Sequence, residues 1–257
     1  RNKRLGSVTE MTISNEFTEP EYTRIKKDYT INLVWHQISN MDSNYALSSD
    51  IESMTGVNTI SPTWFSVASK DGTVSSLADS SYVETAHEKG LEVWGLVDNF
   101  NQEVDMKEVL TNTTAREKLT TQLIEAALEY QLDGLNIDFE NLGEELGDAY
   151  IEFLRELSIQ CRKNNLVLSS DNTVPRDFSA YYQRSEQAEV VDYFIIMGYD
   201  EHYVGSDPGS VASLSFEKEG IESTIAEGVP ADKIISGVPF YTRLWKTDTS
   251  GEVSSEA

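Results

Sequence analysis

Three polar side chains, Asn136, Asp138 and Glu140, alternate with three apolar ones in the run Asp133-Gly134-Leu135-Asn136-Ile137-Asp138-Phe139-Glu140. In a β-strand, side chains two apart point the same way. Asn136, Asp138 and Glu140 therefore share one face, and Leu135, Ile137 and Phe139 share the other. Same-face neighbours lie about 6–7 Å apart along a strand. Two carboxyls at that spacing in an enclosed space cannot both ionise freely, so one keeps its proton. Glu140, nearer the strand's carboxyl end, is the natural proton donor to a leaving oxygen, with Asp138 as its partner. Two other readings stand beside this one. The acids could be a solvated strand end or a buried ion-pair cluster, or Asp-x-Glu could hold Mg²⁺ or Ca²⁺. Against the metal, no histidine or further acid cluster lies nearby in sequence.

The elements that must position these residues alternate in kind. Strands are expected at 31–37, 57–67, 91–97, 132–139, 166–170, 190–197 and 233–238, where apolar, aromatic or β-branched runs end at Gly, Asp, Asn or Pro. Helices fill the gaps. Ser81-x-x-Glu84 and Thr114-x-x-Glu117 read as capping boxes. The second opens a helix with Leu119, Leu123, Ala126, Ala127 and Tyr130 on one face. Further helices are expected at 149–162 and 216–228. Such repetition implies parallel strands with right-handed crossovers. Gln37-Ile38-Ser39-Asn40 after the first strand is no dinucleotide cradle. The expected fold is therefore an α/β (β/α)8 TIM barrel, with its site at the carboxyl ends of the strands. Seven strands can be counted, and residues 246–257 are polar and Ser-rich, so a C-terminal strand is expected to be missing. Residues 1–28 read as a lead-in segment or linker stump, and 29–257 as the barrel.

The chain carries 44 Asp and Glu against 20 Lys and Arg, a net charge of −24. Such a surface repels phosphate backbones and disfavours nucleic acid as a partner. No apolar run approaches the ~20 residues of a membrane span, and no signal peptide is visible. The single cysteine, Cys161, excludes an internal disulfide and is expected in the core of a helix.

The run from Asp133 to Glu140 resembles the Asp-Gly-x-Asp-x-Asp-x-Glu signature of glycoside hydrolase family 18, the chitinase-like family. Met197-Gly198-Tyr199-Asp200 is similar to that family's Met-x-Tyr-Asp motif. Gly237-Val238-Pro239-Phe240-Tyr241-Thr242-Arg243 is similar to its Gly-x-Pro-x-Tyr segment. Asn136 departs from the usual Asp. With Ser61-Pro62-Thr63-Trp64-Phe65 and Asp171-Asn172, it most resembles the bacterial branch of spore-cortex and cell-wall N-acetylglucosaminidases.

The resemblance implies substrate-assisted hydrolysis of an N-acetylated polysaccharide, peptidoglycan or chitin-like, without metal or organic cofactor. Glu140 would protonate the glycosidic oxygen and then activate water. Asp138 would orient the acetamido N–H, Tyr199 would bond the acetamido oxygen, and Asp200 would contact the sugar. Asn136 would leave Asp138 with one fewer neighbouring anion and alter the pH profile. Met197 and Tyr241 enter as motif residues. Trp245 is a substrate-stacking candidate, Trp64 a weaker one that core packing would also explain, and Asn99 and Asn172 are candidate hydroxyl binders. His36 and His202 are expected to be scaffold. A monomer is expected, in an extracellular, wall- or spore-associated setting. Rival readings are a sugar-binding barrel without turnover, an endo-acting enzyme or chitinase on another glycan, and an unrelated open α/β fold.

Overall fold

Strand–helix alternation places parallel strands side by side, and the computed structural model, which describes residues 23–247 and the backbone of 253–256, bears this out. In chain order it comprises β1 Leu33–His36, α1 Leu47–Asp50, β2 Thr59–Val67, β3 Val74–Ser76, α2 Ser80–Glu88, β4 Glu92–Asp98, α3 Met106–Leu110 and α4 Thr113–Glu129. There follow β5 Gly134–Asp138, α5 Gly147–Lys163, β6 Val167–Thr173, α6 Arg184–Val190, β7 Tyr193–Met197, α7 Leu214–Ala226, β8 Ile234–Gly237, β9 Leu244–Thr247 and β10 Val253–Glu256. Seven strands pair in parallel in the order β1-β2-β4-β5-β6-β7-β8. The short β3 pairs antiparallel with β2, and β9 with β10 forms a separate hairpin. This is a partial barrel: among the described residues β1 and β8 are edge strands.

Alternation sorts the side chains into two environments. Outward residues, among them Ile60, Val93, Val97, Leu135, Ile137, Leu168, Phe194 and Ile196, join the helices in one large apolar core. Inward residues are mixed. At the amino-terminal end Trp94, Val167 and Tyr193 pack with Ile25, Ile31, Leu33 and Ile235. Two inward glycines make room for indoles. A Cβ on Gly134 would stand 3.0 Å from Trp94 Cδ1 and 2.7 Å from the Val167 carbonyl oxygen, and one on Gly237 would stand 2.8 Å from Trp35 Cη2. The Trp35 ring thus reaches from β1 to β8, beside a hollow of about 250 Å³ lined by Leu33, Ile195, Tyr199 and Tyr241.

Several local expectations shift. The helix caps are Asp79, which accepts from the Tyr82 N–H, and Asn112, which accepts from the N–H groups of Thr114 and Ala115. The predicted Ser81 and Thr114 lie two residues too deep, because an Asx side chain ahead of the first turn reaches the free N–H groups first. Of the expected lead-in, residues 1–22 lie outside the described residues, whereas 24–27 are tied to the barrel. Arg24 Nε donates to the Asp192 carbonyl (2.8 Å), the Ile25 N–H to Asp192 Oδ1 (2.9 Å) and the Lys27 N–H to the Tyr193 hydroxyl (2.7 Å). Cys161 is buried in α5. No described helix is long and apolar enough to cross a membrane.

Candidate active site

The inward acids collect at the carboxyl ends of the strands. Ser66, Asp98 and Asp138 stand in register across β2, β4 and β5. The strands β5 and β6 pair Asn136 with Ser169 and Ile137 with Ser170, so the next residues, Asp138 and Asp171, also face inward side by side. Asp138, Asp171, Asp98, Trp35, Thr63, Phe100 and Tyr199 line a cleft of about 510 Å³. Glu140 lies two residues beyond β5. It borders a neighbouring hollow of about 250 Å³ with Asn99, Phe100 and Asn141, and a smaller one with Asp171, Met197 and Phe178. Phe100 borders both the cleft and the larger hollow, so a chain-like ligand in this groove would pass Glu140.

The backbone around Glu140 is held on both sides. Its N–H donates to Asn99 Oδ1 and its carbonyl accepts from Asn99 Nδ2, each at 2.9 Å. The Tyr182 hydroxyl donates to the Phe139 carbonyl (2.9 Å) and accepts from the Leu142 N–H (3.3 Å). Phe139 stacks on Phe153 with ring centroids 5.3 Å apart. Asn141 takes the left-handed conformation, φ 52°, that turns the chain away after the acid.

Burial pushes the Glu140 carboxyl above its ordinary range, and the Asp200 charge pushes it further. Burial is also the main cause holding Asp138 well above that range, followed by the charges of Asp171, Glu140 and Asp98. Buried Asp171 is raised as well, opposed by hydrogen bonds from Asn136 and Trp35. One oxygen of Asp138, Oδ1, is buried and has no hydrogen-bond partner. Tyr199 packs edge-on against Trp35 (6.3 Å) and Tyr241 (6.1 Å). Asp200 Oδ1 accepts from the Tyr241 hydroxyl (2.8 Å) and from Arg243 Nη2 (2.7 Å).

Of the residues singled out in the sequence, Asn136, Asp138, Glu140, Tyr199, Asp200, Tyr241 and Met197 converge here. Four others sit differently. Asn99 has both amide atoms engaged with the Glu140 backbone. Asn172 faces α6, where its amide pairs reciprocally with Gln187 at 3.0 and 2.9 Å. Trp64 borders the cleft but is 2% exposed, its indole donating to Asn44 Oδ1 (2.8 Å) in the outward phase it shares with Ile60. Trp245 lies on β9 and donates to the Gly209 carbonyl (2.9 Å). Asn136 does not leave Asp138 short of an anionic neighbour, because Asp171 supplies one. The expected strand ended at Ser170, yet β6 runs on to Thr173. Counting the alternation of β6 three residues further would have put Asp171 on the inner face. Tyr182 carried no comparable signal, since its role arises only in three dimensions.

Parallel strands that gather acids at their carboxyl ends place the chain among the α/β folds that carry their sites at strand termini. Within that class it belongs to the glycosyl hydrolases family 18, whose model matches residues 35–256. It is 29% identical to the uncharacterized glycosylase YvbX of Bacillus subtilis over 68% of this chain and 54% of that protein. It is 25% identical to the cortical fragment-lytic enzyme of Bacillus anthracis over 70% and 44%. The chain thus spans about half the length of the curated relatives it matches. Among solved structures, the spore cortex-lytic enzyme SleL of Bacillus cereus superposes with a TM-score of 0.74 at 19% identity, over 87% of this chain and 54% of that one. A chitinase of Chromobacterium violaceum gives 0.72 at 20% identity, over 84% and 70%.

Proposed function

We propose that this domain is a retaining glycosidase that cleaves β-1,4 bonds next to N-acetylglucosamine in peptidoglycan or a chitin-like glycan, at the cell wall or spore. The observation that carries this reading is the unpartnered buried Oδ1 of Asp138 in the cleft. A buried polar atom without a partner costs about 1–3 kcal/mol, and an acetamido N–H laid against it would remove that cost. Neutral hydroxyls and acetamides also suit a cleft lined by acids.

The chemistry follows from the placement of the groups. Glu140, whose carboxyl burial holds above its ordinary range, delivers a proton to the glycosidic oxygen. The sugar's own acetamido oxygen attacks the anomeric carbon, and positive charge spreads over the ring that forms. Asp138 accepts the acetamido N–H and stabilises that charge, while the Tyr199 hydroxyl bonds the acetamido oxygen. Glu140, now ionised, takes a proton from water, which opens the intermediate from the face the leaving group left and so retains configuration. Asp200, held by Tyr241 and Arg243, contacts the sugar in the same subsite. Relatives named for spore cortex lysis and neighbours named chitinases both fit an N-acetylated glycan.

Hydrolysis of a chromogenic N-acetylglucosamine oligomer and of purified wall glycan strands tests the reading. Glu140→Gln is expected to lower kcat by about 10²–10⁴, with β-anomeric product from the parent chain by NMR. Equal rates in the two proteins would overturn it, and binding without turnover by the parent chain would make the domain a sugar-binding barrel.

A further inference from the structure

The steps above leave one deeply buried acid of the cleft unused. Asp171 is 2% exposed and stands beside Asp138 on the next strand. What lies between them fixes how charge divides. Asn136 Oδ1 receives the Trp35 indole N–H (3.0 Å) and the Ser61 hydroxyl (3.1 Å). An indole N–H only donates, so that amide atom must be the oxygen. Asn136 Nδ2 is thereby aimed at Asp171 Oδ1, 2.8 Å away. Asp171 receives a fixed donor, while Oδ1 of Asp138 receives none. Where two carboxyls share an enclosed space, the negative charge settles on the one with donors and the proton on the other.

We propose that Asp171 is a further positioning residue of this site: with Asn136 as its anchor, it sets the charge of Asp138. In the free protein the pair carries a single negative charge, on Asp171, and Asp138 holds the proton. The other ionisable groups facing the pair are Asp98 from β4, Glu140 beyond β5, Tyr150 from α5 and Tyr199 beyond β7. These are carboxyls and phenols, which add no positive charge. A neutral Asp138 still offers its carbonyl oxygen to an acetamido N–H, and the anion beside it favours positive charge growing on the sugar.

The inference concerns the site read above as glycosidic and uses that reading only for turnover; the division of charge stands apart from it. The test is carbon-13 NMR titration of the aspartate carboxyls in the full chain, with Asp138 assigned from the Asp138→Asn spectrum. In Asp171→Asn the acid dissociation constant of Asp138 is expected to rise at least about tenfold. The double variant Asn136→Asp/Asp171→Asn, which moves the acid onto β5, is expected to bring it back down. On the chromogenic oligomer the pH profile of kcat should move in Asp171→Asn while KM changes little. An Asp138 titration unmoved by Asp171→Asn would overturn the proposal. Should that variant fail to fold, Asn136→Ala keeps both acids and removes the anchor. It should make Asp171 a weaker acid and Asp138 a stronger one, and no change in either would equally overturn it. A titration that moves in a protein that hydrolyses no glycan would sink the glycosidase reading and leave the pair intact.

Discussion

Asn99 uses both ends of its amide on the backbone of Glu140, which makes it a holder of the acid. Displacing a reacting group by about 1 Å can cost on the order of a hundredfold in rate. Asn99→Ala is therefore expected to lower kcat about ten- to a hundredfold with KM little changed; a raised KM at unchanged kcat would return Asn99 to the substrate. Glu140 supports a second prediction. In the proposed mechanism it is the acid, so activity should fall as pH rises through its raised value. Asp200 contributes to that rise, and Asp200→Asn removes a like charge. The alkaline limb of the pH profile should then move toward lower pH, and a limb that stays in place would show that Asp200 does not act on Glu140. At this scale Asp138 and Glu140 were legible in sequence because one continuous run carries both at a spacing of two. Asp171, Asn99 and Tyr182 were not legible in their roles, since each acts on a residue about 35–43 positions away.

Elements set the phase in which those residues are presented. The seven parallel strands could be read because buried strands leave continuous apolar runs between turn residues. The short β3, α3 and the β9–β10 hairpin could not, since three to five residues give too little periodicity. Within β5 the motif divides its labour. Asp133 Oδ2 accepts from the Val93 N–H (2.8 Å) and pairs with His87 Nε2 (2.9 Å), so it joins β4, α2 and the start of β5. Gly134 leaves space for Trp94 and the Val167 carbonyl. Gly134→Ala forces a methyl against backbone and is expected to cost about 1–3 kcal/mol, measured by denaturant unfolding; a variant as stable as the parent would mean that β5 and β6 separate freely. The inward acids have the opposite effect on stability. Folding raises Asp138 above its unfolded value, so its contribution to stability is greatest below the ordinary carboxyl range and is lost as pH rises toward the raised value. Asp138→Asn should therefore melt at least about 2 °C higher than the parent at neutral pH, with the gain vanishing near pH 4. A gain independent of pH would point to packing and not to charge.

Across the whole molecule, 44 acidic side chains outnumber 20 basic ones, and among them Asp98 and Asp171 line the cleft. Such a field bears on which glycan reaches the groove fastest. Wall glycan strands carry carboxylates on alternate sugars and on their peptides, whereas chitin oligomers are neutral. Charge acts at long range mainly on encounter, so its mark is an ionic-strength dependence of kcat/KM and not of kcat. Raising ionic strength from 0.01 to 0.15 M shortens the screening length from about 30 Å to about 8 Å. For a carboxylate-bearing strand the mutual repulsion fades over that range, and kcat/KM is expected to rise several-fold. For a neutral N-acetylglucosamine oligomer of equal length it should stay level. The pair of substrates removes general salt effects on the protein, because those would move both rates together. A flat response for both would mean that basic groups near the groove, such as Arg243 on Asp200, cancel the field locally. A rate that falls with salt for the charged strand alone would mean that the groove attracts anions despite the net charge.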